Sequence, residues 1–294
     1  MRWSDRLTWG ARTYVMGILN VTPDSFSGDG LATDGGAAVD RAVAQVRGFV
    51  DAGADIIDIG GESTRPGSEP LSAEAERARV VPVVAAVRSA LPDCAISVDT
   101  YRATVAEAAL DAGADIVNDV WGLRADPDMA RLVAARDAPV VLMHNRSKPG
   151  HADLDARLGG EYIGPHYEDL IADVSRELSD LAEGACAAGI DGAQIVLDPG
   201  LGFGKTVSQN LALIDRLEEL KRLGFPLLVG PSRKSFIGRV LDLPVAERLE
   251  GTAAAVALAI ARGADIVRVH DVAAMARVAR MTDAILNASP DEGR

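Results

Sequence analysis

The sequence predicts an α/β protein that folds as a single-domain (β/α)8 TIM barrel. Eight short apolar runs recur along the 294 residues, helical patterns separate them, and a weak repeat marks three of the turns from helix to strand. Eight βα units with right-handed crossovers over about 270 residues close most naturally into a barrel. An open doubly wound sheet is the alternative that the same pattern allows.

The apolar runs are mostly continuous in Val, Ile and Leu, as expected of strands buried on both faces of a parallel sheet. They cover residues 13–20, 55–61, 95–100, 115–120, 139–144, 194–200, 226–232 and 265–271. Helical patterns lie between them, including 37–52, 72–90, 102–112 and 126–137. The last of these helices is predicted to begin with Asp126 as its N-cap and Pro127 in its first turn.

The repeat has the form Gly-Ala-Asp-Ile and starts at Gly53, Gly113 and Gly263. Each copy follows a helical pattern and precedes an apolar run, so each glycine is expected to end a helix before a strand begins. No linker-like or low-complexity stretch divides the chain. We therefore expect an N-terminal extension over residues 1–12, one barrel domain over 13–288 and a C-terminal tail over 289–294.

The composition narrows the class of protein. A net charge of −13 and a pI near 4.8 argue against a nucleic-acid partner. No apolar run reaches the roughly 18 residues of a membrane span, and the N-terminus lacks the apolar segment of a signal peptide. Cys94 and Cys186 are expected to be buried small apolar residues, not a disulfide framework. We expect a cytoplasmic protein without membrane or nucleic-acid partners.

Polar residues end nearly every predicted strand, where an apolar core would not choose them. In a TIM barrel these strand ends form the rim that carries the active site. The residues are Asn20, Glu62-Ser63-Thr64-Arg65, Asp99, Asn118, His144, Asp198, Ser232-Arg233-Lys234, Arg268 and His270. A single polar strand end is unremarkable, but their convergence on one rim predicts a functional site.

The rim residues divide into two chemical sets. The first set mixes donors and acceptors suited to the edge of a flat heterocycle, and comprises Asp99, Asn118, Asp198 and Lys234. The second is cationic within an acidic protein, which suggests an anionic ligand such as phosphate or pyrophosphate, and comprises Arg65, Arg268 and His270. Taken singly, each Asp could instead cap the next helix, and each Arg could form a surface salt bridge.

Two long loops rich in glycine, over residues 21–36 and 60–72, resemble lids that exclude water from a reaction. The segment Asp198–Thr206 (DPGLGFGKT) lacks the spacing of a P-loop and the third glycine of a dinucleotide fingerprint. No His spacing typical of zinc is present. A Mg²⁺ ion held partly by substrate phosphates needs only one or two protein oxygens, and Asn20 can offer one.

Several motifs together resemble those of the dihydropteroate synthase family. They occur in order across all eight predicted strands and cover residues 13 to 285. They are Met16–Ser27 (MGILNVTPDSFS), Gly60–Gly67 (GGESTRPG), Ser97–Thr100 (SVDT), Asn118-Asp119, Leu142–His144 (LMH), Asp198–Lys205 (DPGLGFGK), Ser232–Ser235 (SRKS) and Arg268–His270 (RVH). Any one motif is weak, but the ordered set is highly specific.

The resemblance implies a folate-pathway transferase that joins (7,8-dihydropterin-6-yl)methyl diphosphate to 4-aminobenzoate. It implies that the pterin is bound by Asp99, Asn118, Asp198 and Lys234. The diphosphate and Mg²⁺ would be held by Asn20, Arg65, Arg268 and His270, with Asn20 as the metal ligand. Thr64, Pro66 and Ser235 would contact the diphosphate or the aminobenzoate. The implied catalytic residues are Asp99, Asp198, Lys234, Arg268 and His270.

Two other functions fit parts of the pattern. A methyltetrahydrofolate-binding methyltransferase barrel shares the pterin end but has no need of Arg268 and His270. A non-catalytic paralogue would bind pterin without turnover, although both substrate ends and both lids are intact here. The resemblance also suggests a homodimer, for which residues 252–261 and 272–286 supply apolar positions.

Overall fold

A computed structural model of the chain describes residues 7–21, 35–62, 71–147, 152–155, 157–162 and 166–288. Half of the predicted N-terminal extension (1–6 of 1–12) and all of the predicted tail (289–294) lie outside the described residues. Most of the first predicted lid and the centre of the second, residues 22–34 and 63–70, lie outside them too.

Eight parallel strands form the barrel, and the predicted fold class is confirmed. The strands are β1 (Tyr14–Asn20), β2 (Ile56–Gly60), β3 (Ala95–Asp99), β4 (Ile116–Asp119), β5 (Val140–Met143), β8 (Ile195–Asp198), β9 (Leu228–Val229) and β10 (Ile266–Val269). Their order in the sheet is β8-β5-β4-β3-β2-β1-β10-β9. A single parallel bridge between Leu197 and Leu227 closes the ring.

Ten helices accompany the strands in the described part of the chain. They are α1 (Gly35–Asp51), α2 (Ala73–Ala90), α3 (Ala103–Asp111), α4 (Met129–Arg136), α5 (Leu170–Ala187), α6 (Val207–Asp215), α7 (Leu217–Lys221), α8 (Ser235–Leu241), α9 (Leu249–Ala261) and α10 (Val272–Leu286). Outward-facing strand residues such as Ile57, Val98 and Leu142 pack with helix residues such as Val84 and Leu178 in the main core. This layer fixes the barrel from outside.

The inside of the barrel begins with an apolar floor. Every strand contributes at least one buried side chain to it, and Leu7 and Trp9 pack against it from the N-terminal segment. The floor consists of Tyr14, Met16, Ile56, Ala95, Ile116, Val141, Val196, Leu228 and Ile266. Because side chains alternate along a strand, residues two positions further on face the same interior, above the floor.

The Gly-Ala-Asp-Ile repeat has a physical role at the start of the strands. Its three glycines have φ values of +102°, +111° and +97°, a region that favours glycine. The following aspartates accept hydrogen bonds from the backbone of the neighbouring strand: Asp55 from Val15 N at 2.9 Å, Asp115 from Ile96 N at 2.8 Å, and Asp265 from Leu227 N at 2.7 Å. The repeat therefore ties adjacent strands together at the floor end.

A β-hairpin that the sequence analysis did not predict follows β5. Strands β6 (Ala152–Asp155) and β7 (Gly159–Tyr162) pair antiparallel. Asp155 Oδ1 accepts from Arg157 N at 2.7 Å and from Leu158 N at 2.6 Å, which stabilises the turn. The buried Arg248 donates to Leu158 O at 3.0 Å and to Arg233 O at 3.0 Å. The hairpin is thus attached to the segment that precedes α8.

Two local expectations, the start of α4 and the burial of the cysteines, differ from the structure. Helix α4 begins at Met129, not at residue 126, and Asp126 instead accepts from Ala103 N at 2.8 Å, at the start of α3. Cys186 is exposed and Cys94 is only half-buried, so the expectation that both are buried was wrong. Among the described helices, none has the length and apolar character needed to cross a membrane.

Candidate active site

A polar layer lies inside the barrel directly above the apolar floor. Asp58, Ser97, Asn118, Asp198 and Arg268 each stand two residues beyond a floor residue on their own strand. The first four are buried, with exposed fractions of 7% or less. An interior layer of carboxylate, amide and guanidinium groups is costly to fold unless its members pair with each other or with a ligand.

Arg268 occupies the centre of this pairing. Its Nε donates to Asp58 Oδ2 at 2.6 Å, and its Nη2 donates to Asp99 Oδ2 at 2.6 Å. Although burial acts in the opposite direction, the negative charges of Asp58 and Asp99 raise the pKa of Arg268. The guanidinium therefore remains charged inside the barrel mouth, and two carboxylates fix its plane.

Asp99 ends β3 beside Gly60, the last residue of β2. A Cβ atom on Gly60 would lie 3.3 Å from Asp99 Cβ, so the glycine leaves room for this side chain. Burial raises the pKa of Asp99 to about 7, with the attraction of Arg268 opposing the rise and the charge of Asp58 adding to it. Asp99 thus changes charge near neutral pH.

Asp198 and Lys234 line the opposite side of the polar layer. Asp198 Oδ1 accepts from Gly200 N at 2.7 Å, and burial raises the pKa of Asp198. Lys234 donates to Leu201 O, and its Nζ lies 4.6 Å from the centre of the Phe203 ring. Burial lowers the pKa of Lys234 to about 8, while the charge of Asp198 opposes the change.

The turn after β8 is held from below by Lys205. Its ammonium donates to Gly200 O at 2.9 Å and Phe203 O at 3.0 Å, and lies 3.0 Å from His144 Nδ1. Burial, with Lys205 adding to it, lowers the pKa of His144 to about 4, so the imidazole is neutral. His144 Nδ1 therefore accepts from Lys205, and His144 Nε2 lies 3.0 Å from Glu177 Oε2. His144 supports the turn.

The rim segments that follow β9 and β10 lie next to each other. Ser232 Oγ accepts from His270 N at 3.1 Å and lies 3.1 Å from His270 Nδ1. Ser235 is the first residue of α8 and is half-buried. Arg233 turns away to pair with Asp271, with Nε 2.8 Å from Oδ2, and thus has a structural role.

Neither rim aspartate caps the helix that follows it. Thr206 caps α6 through Gln209 N, and the backbone of Ala103 at the start of α3 bonds to Asp126. The helix-cap alternative for Asp99 and Asp198 is therefore excluded. The described residues contain no cluster of three or more His, Cys, Asp or Glu side chains able to hold a metal ion, and Asn20 ends β1 half-buried.

Known proteins match this arrangement over nearly its whole length. The family described as pterin binding enzyme matches residues 16–270. Dihydropteroate synthase of Bacillus subtilis is 49% identical over 283 residues, which are 96% of this chain and 91% of that protein.

Solved structures give the same result. Dihydropteroate synthase from Clostridium difficile, solved in the presence of pteroic acid, superposes with a TM-score of 0.85 at 46% identity and covers 96% of this chain and 100% of its own. The enzyme of Xanthomonas albilineans with 4-aminobenzoic acid gives 0.84 at 41% identity, covering 95% of this chain and 94% of its own. The chain belongs to the dihydropteroate synthase family. It is accordingly an enzyme of the transferase class.

The structure brings most of the predicted site residues to one rim. Asp99 meets Arg268, Asp198 shares the mouth with Lys234, and the remaining described members lie at the ends of their strands or at the start of α8. These are Asn20, Asn118, Ser235 and His270. The predicted site residues Thr64, Arg65 and Pro66 lie outside the described residues.

Two buried charged residues of the site were missed by sequence reasoning. Asp58 interrupts the otherwise apolar strand β2 (IIDIG) at an inward position, and this interruption was the available signal. Lys205 belongs to the motif Asp198–Lys205, but no role was predicted for it, because its bonds to the carbonyls of Gly200 and Phe203 depend on how the turn folds. It is 2% exposed and organises the turn that contacts Lys234.

Proposed function

We propose that the polar layer binds the pterin of (7,8-dihydropterin-6-yl)methyl diphosphate and that 4-aminobenzoate displaces the diphosphate there. The products are 7,8-dihydropteroate and pyrophosphate. One observation carries this proposal: carboxylates, an amide and two cations face one another inside the barrel mouth above an apolar floor. That layer matches the donors and acceptors along the edge of a pterin ring.

The proposed pterin set is Asp99, Asn118, Asp198 and Lys234. The two carboxylates accept from ring and amino N–H groups, whereas Lys234 donates to a carbonyl oxygen or ring nitrogen. The carboxylates also provide negative potential beneath a ring that becomes electron-poor when the diphosphate leaves. Preorganised charge of this kind usually makes the largest contribution to catalysis.

The proposed reaction is SN1-like. The C–O bond to the diphosphate breaks first, pyrophosphate departs with the bonding electrons, and the positive charge on the methylene carbon spreads into the pterin. The aniline nitrogen of 4-aminobenzoate then uses its lone pair to form the C–N bond and releases one proton. Since this amine is a neutral nucleophile, no strong general base is required. A rate that rises steeply with the basicity of substituted anilines would contradict this order of steps.

The departing charge is stabilised by cations in this proposal. Arg268 and His270 lie at the end of β10, and Arg65 belongs to the second predicted lid. Thr64 and Pro66 from the same lid and Ser235 at the start of α8 would complete the contacts to the diphosphate or the aminobenzoate. Closure of the lids would keep water from the cationic intermediate.

Mg²⁺ fits the donor set at the diphosphate end. The described residues offer Asn20 and no cluster of carboxylate ligands, as expected for a hard cation held largely by substrate phosphates. Asn20 is the proposed protein ligand. When bound, the ion would neutralise charge that develops on the leaving pyrophosphate. Asn20→Ala should therefore raise the Mg²⁺ concentration needed for half-maximal rate.

A homodimer is proposed through one side of the barrel. In the described part of the chain, the exposed large apolar side chains all lie on α6, α8, α9 and α10. They are Leu211, Val240, Leu241, Leu249, Leu258, Met281, Ile285 and Leu286. A cluster of this kind is typical of an interface between subunits.

A coupled assay tests the reaction. The purified protein is incubated with the pterin diphosphate, 4-aminobenzoate and Mg²⁺, and pyrophosphate and dihydropteroate are measured together. Equal formation of both products, abolished by chelation of Mg²⁺, is the expected result. Pterin binding without either product would point to the non-catalytic paralogue and overturn the proposal.

A further inference from the structure

Asp58 is the most deeply buried charged group of the polar layer. It lies in the middle of β2, its exposed fraction is 0%, and it was not assigned to the substrate by any motif. Its neighbours come from three other strands. A carboxylate in this position must be compensated by donors, because an isolated buried charge is strongly unfavourable.

Three donors surround the carboxylate. Ser97 Oγ donates to Oδ1 at 2.6 Å, and Asn118 Nδ2 and Arg268 Nε donate to Oδ2 at 3.0 and 2.6 Å. Two of these donors, Asn118 and Arg268, belong to the proposed substrate site. Asp58 therefore joins residues from β3, β4 and β10 beneath the place where substrate binds.

The contact with Asn118 decides how that amide is oriented. An ionised carboxylate only accepts hydrogen bonds, so the NH₂ group of Asn118 must point toward Asp58. One hydrogen of the NH₂ group is used in this contact, and the carbonyl Oδ1 is the acceptor that Asn118 can offer to a ligand. Asn118 thus presents an acceptor, and the ligand edge that meets it must carry an N–H donor.

The contact with Arg268 fixes the guanidinium. Asp58 holds Nε and Asp99 holds Nη2, so the planar fork is clamped along one side. This clamp keeps a full positive charge in a set orientation inside the mouth. Loss of the Asp58 carboxylate would free one side of the fork and leave Asp99 as its partner.

We propose that Asp58 is a positioning residue that sets the donor–acceptor polarity of the pterin site by orienting Asn118 as an acceptor and by fixing Arg268. This inference rests on the proposed function, because it assigns the pterin to the same layer. Asp58 itself does not touch substrate, since its side chain is fully buried and its carboxylate is bonded to Ser97, Asn118 and Arg268. Its role is exercised through its two partners.

A matched control exists on β4, two strands away from β2 in the sheet. Asp119 is also a fully buried aspartate, but it accepts from the backbone of Trp121 at 2.8 Å and Leu123 at 2.9 Å, in the loop after β4. Asp119→Asn removes a buried charge without altering a contact to Asn118 or Arg268 side chains. It reports what the loss of a buried carboxylate does by itself.

The test compares Asp58→Asn with Asp119→Asn in the full-length protein. Wild-type turnover is measured first, and its absence would overturn the proposed function together with this inference. We expect D58N to weaken binding of the pterin diphosphate about ten- to 100-fold, the effect of a lost charged hydrogen bond. The KM for 4-aminobenzoate should change less than about twofold, within the scatter of a site not involved.

The control should behave differently. D119N should lower the melting temperature and leave both substrate constants near the wild-type values. The positioning role alone would be overturned by the following result. The wild type turns over normally, and D58N loses thermal stability as D119N does but keeps its affinity for pterin.

A charge exchange keeps the inference testable if D58N does not fold. N118D places two acceptors against each other and should bind pterin poorly. In the double variant D58N/N118D one partner donates again, so pterin affinity should recover at least about fivefold over N118D, a coupling that independent sites do not show. A double variant no better than N118D would overturn the proposal.

Discussion

Arg268 Nη2 and Asp99 Oδ2 lie 2.6 Å apart, although the sequence motifs place these residues at opposite ends of the substrate. The resemblance assigns Asp99 to the pterin and Arg268 to the diphosphate. Their contact indicates that the two ends of the site meet at this pair. The methylene carbon that joins the pterin to the diphosphate is the part of the substrate expected nearest to it.

Arg268→Ala is expected to weaken both pterin binding and turnover. The sequence motifs alone predict that pterin binding is spared, but the variant leaves the buried carboxylates of Asp58 and Asp99 without their cation. Breaking such a pair costs about 3 to 5 kcal/mol. Calorimetric titration with free pterin and steady-state kinetics measure the two losses. Arg268→Lys is the control, since it keeps the charge but not the fork.

The rate should depend on pH in a narrow bell. Asp99 must be ionised to provide negative potential, so kcat/KM for the pterin diphosphate should rise as the pH passes about 7. Lys234 must be protonated to donate, so the same constant should fall as the pH passes about 8. Profiles of kcat/KM report the groups of the free enzyme.

The falling limb can be assigned by substitution. Lys234→Arg replaces the amine with a guanidinium that stays protonated in this range. The variant should therefore keep the rising limb and lose the falling one, whatever its absolute rate. An unchanged falling limb would show that another group controls it.

The hairpin β6–β7 should depend on Arg248 for its attachment. Arg248→Met leaves the carbonyls of Leu158 and Arg233 without a buried donor and is expected to reduce the free energy of unfolding by about 2 to 4 kcal/mol. Arg157→Ala, which removes an exposed ion pair from the same hairpin, should cost less than about 1 kcal/mol. Denaturant titration of both variants makes the comparison.

The proposed dimer should dissociate when charge enters its apolar side. Leu258 is 55% exposed on α9, and its replacement by Glu places a carboxylate within the predicted interface. Sedimentation velocity should then show a monomer where the wild type is a dimer. Arg131→Glu, on the exposed face of α4, is the control and should leave the assembly intact. Asp283→Asn is unsuitable as a control, because Asp283 accepts from Thr13 N at 2.9 Å.

The barrel could be predicted because its strands are short, buried on both faces and separated by helices of the expected length. Strand boundaries differ by up to three residues, since the polar ends of the apolar runs belong to loops. The hairpin β6–β7 escaped prediction because its strands, ADLD and GGEY, are only four residues long and contain no β-branched residue. Its attachment depends on Arg248, which is 90 residues away from Leu158 along the chain.

The site shows the same division. Residues at strand ends were found because they break an apolar pattern at the rim. Asp58 lies inside β2, two residues before the end of the strand. Its role depends on contacts with Asn118 and Arg268, which belong to distant segments of the chain. Side chains from distant strands pair only when the sheet closes into a barrel, and a local sequence pattern contains no information about those pairs.

The seam of the barrel, between β8 and the segment leading into β9, has a consequence for local opening of the folded protein. Every other pair of neighbouring strands shares a ladder, but β8 and the segment leading into β9 share only the bridge between Leu197 and Leu227. Asp198 ends β8 on one side of this seam, and Lys234 follows β9 on the other side. A ligand that is bound by both residues therefore holds the two sides of the seam together. Amide hydrogen exchange at Leu197 should be faster than at Leu142 in the free protein, and should slow when pterin is bound.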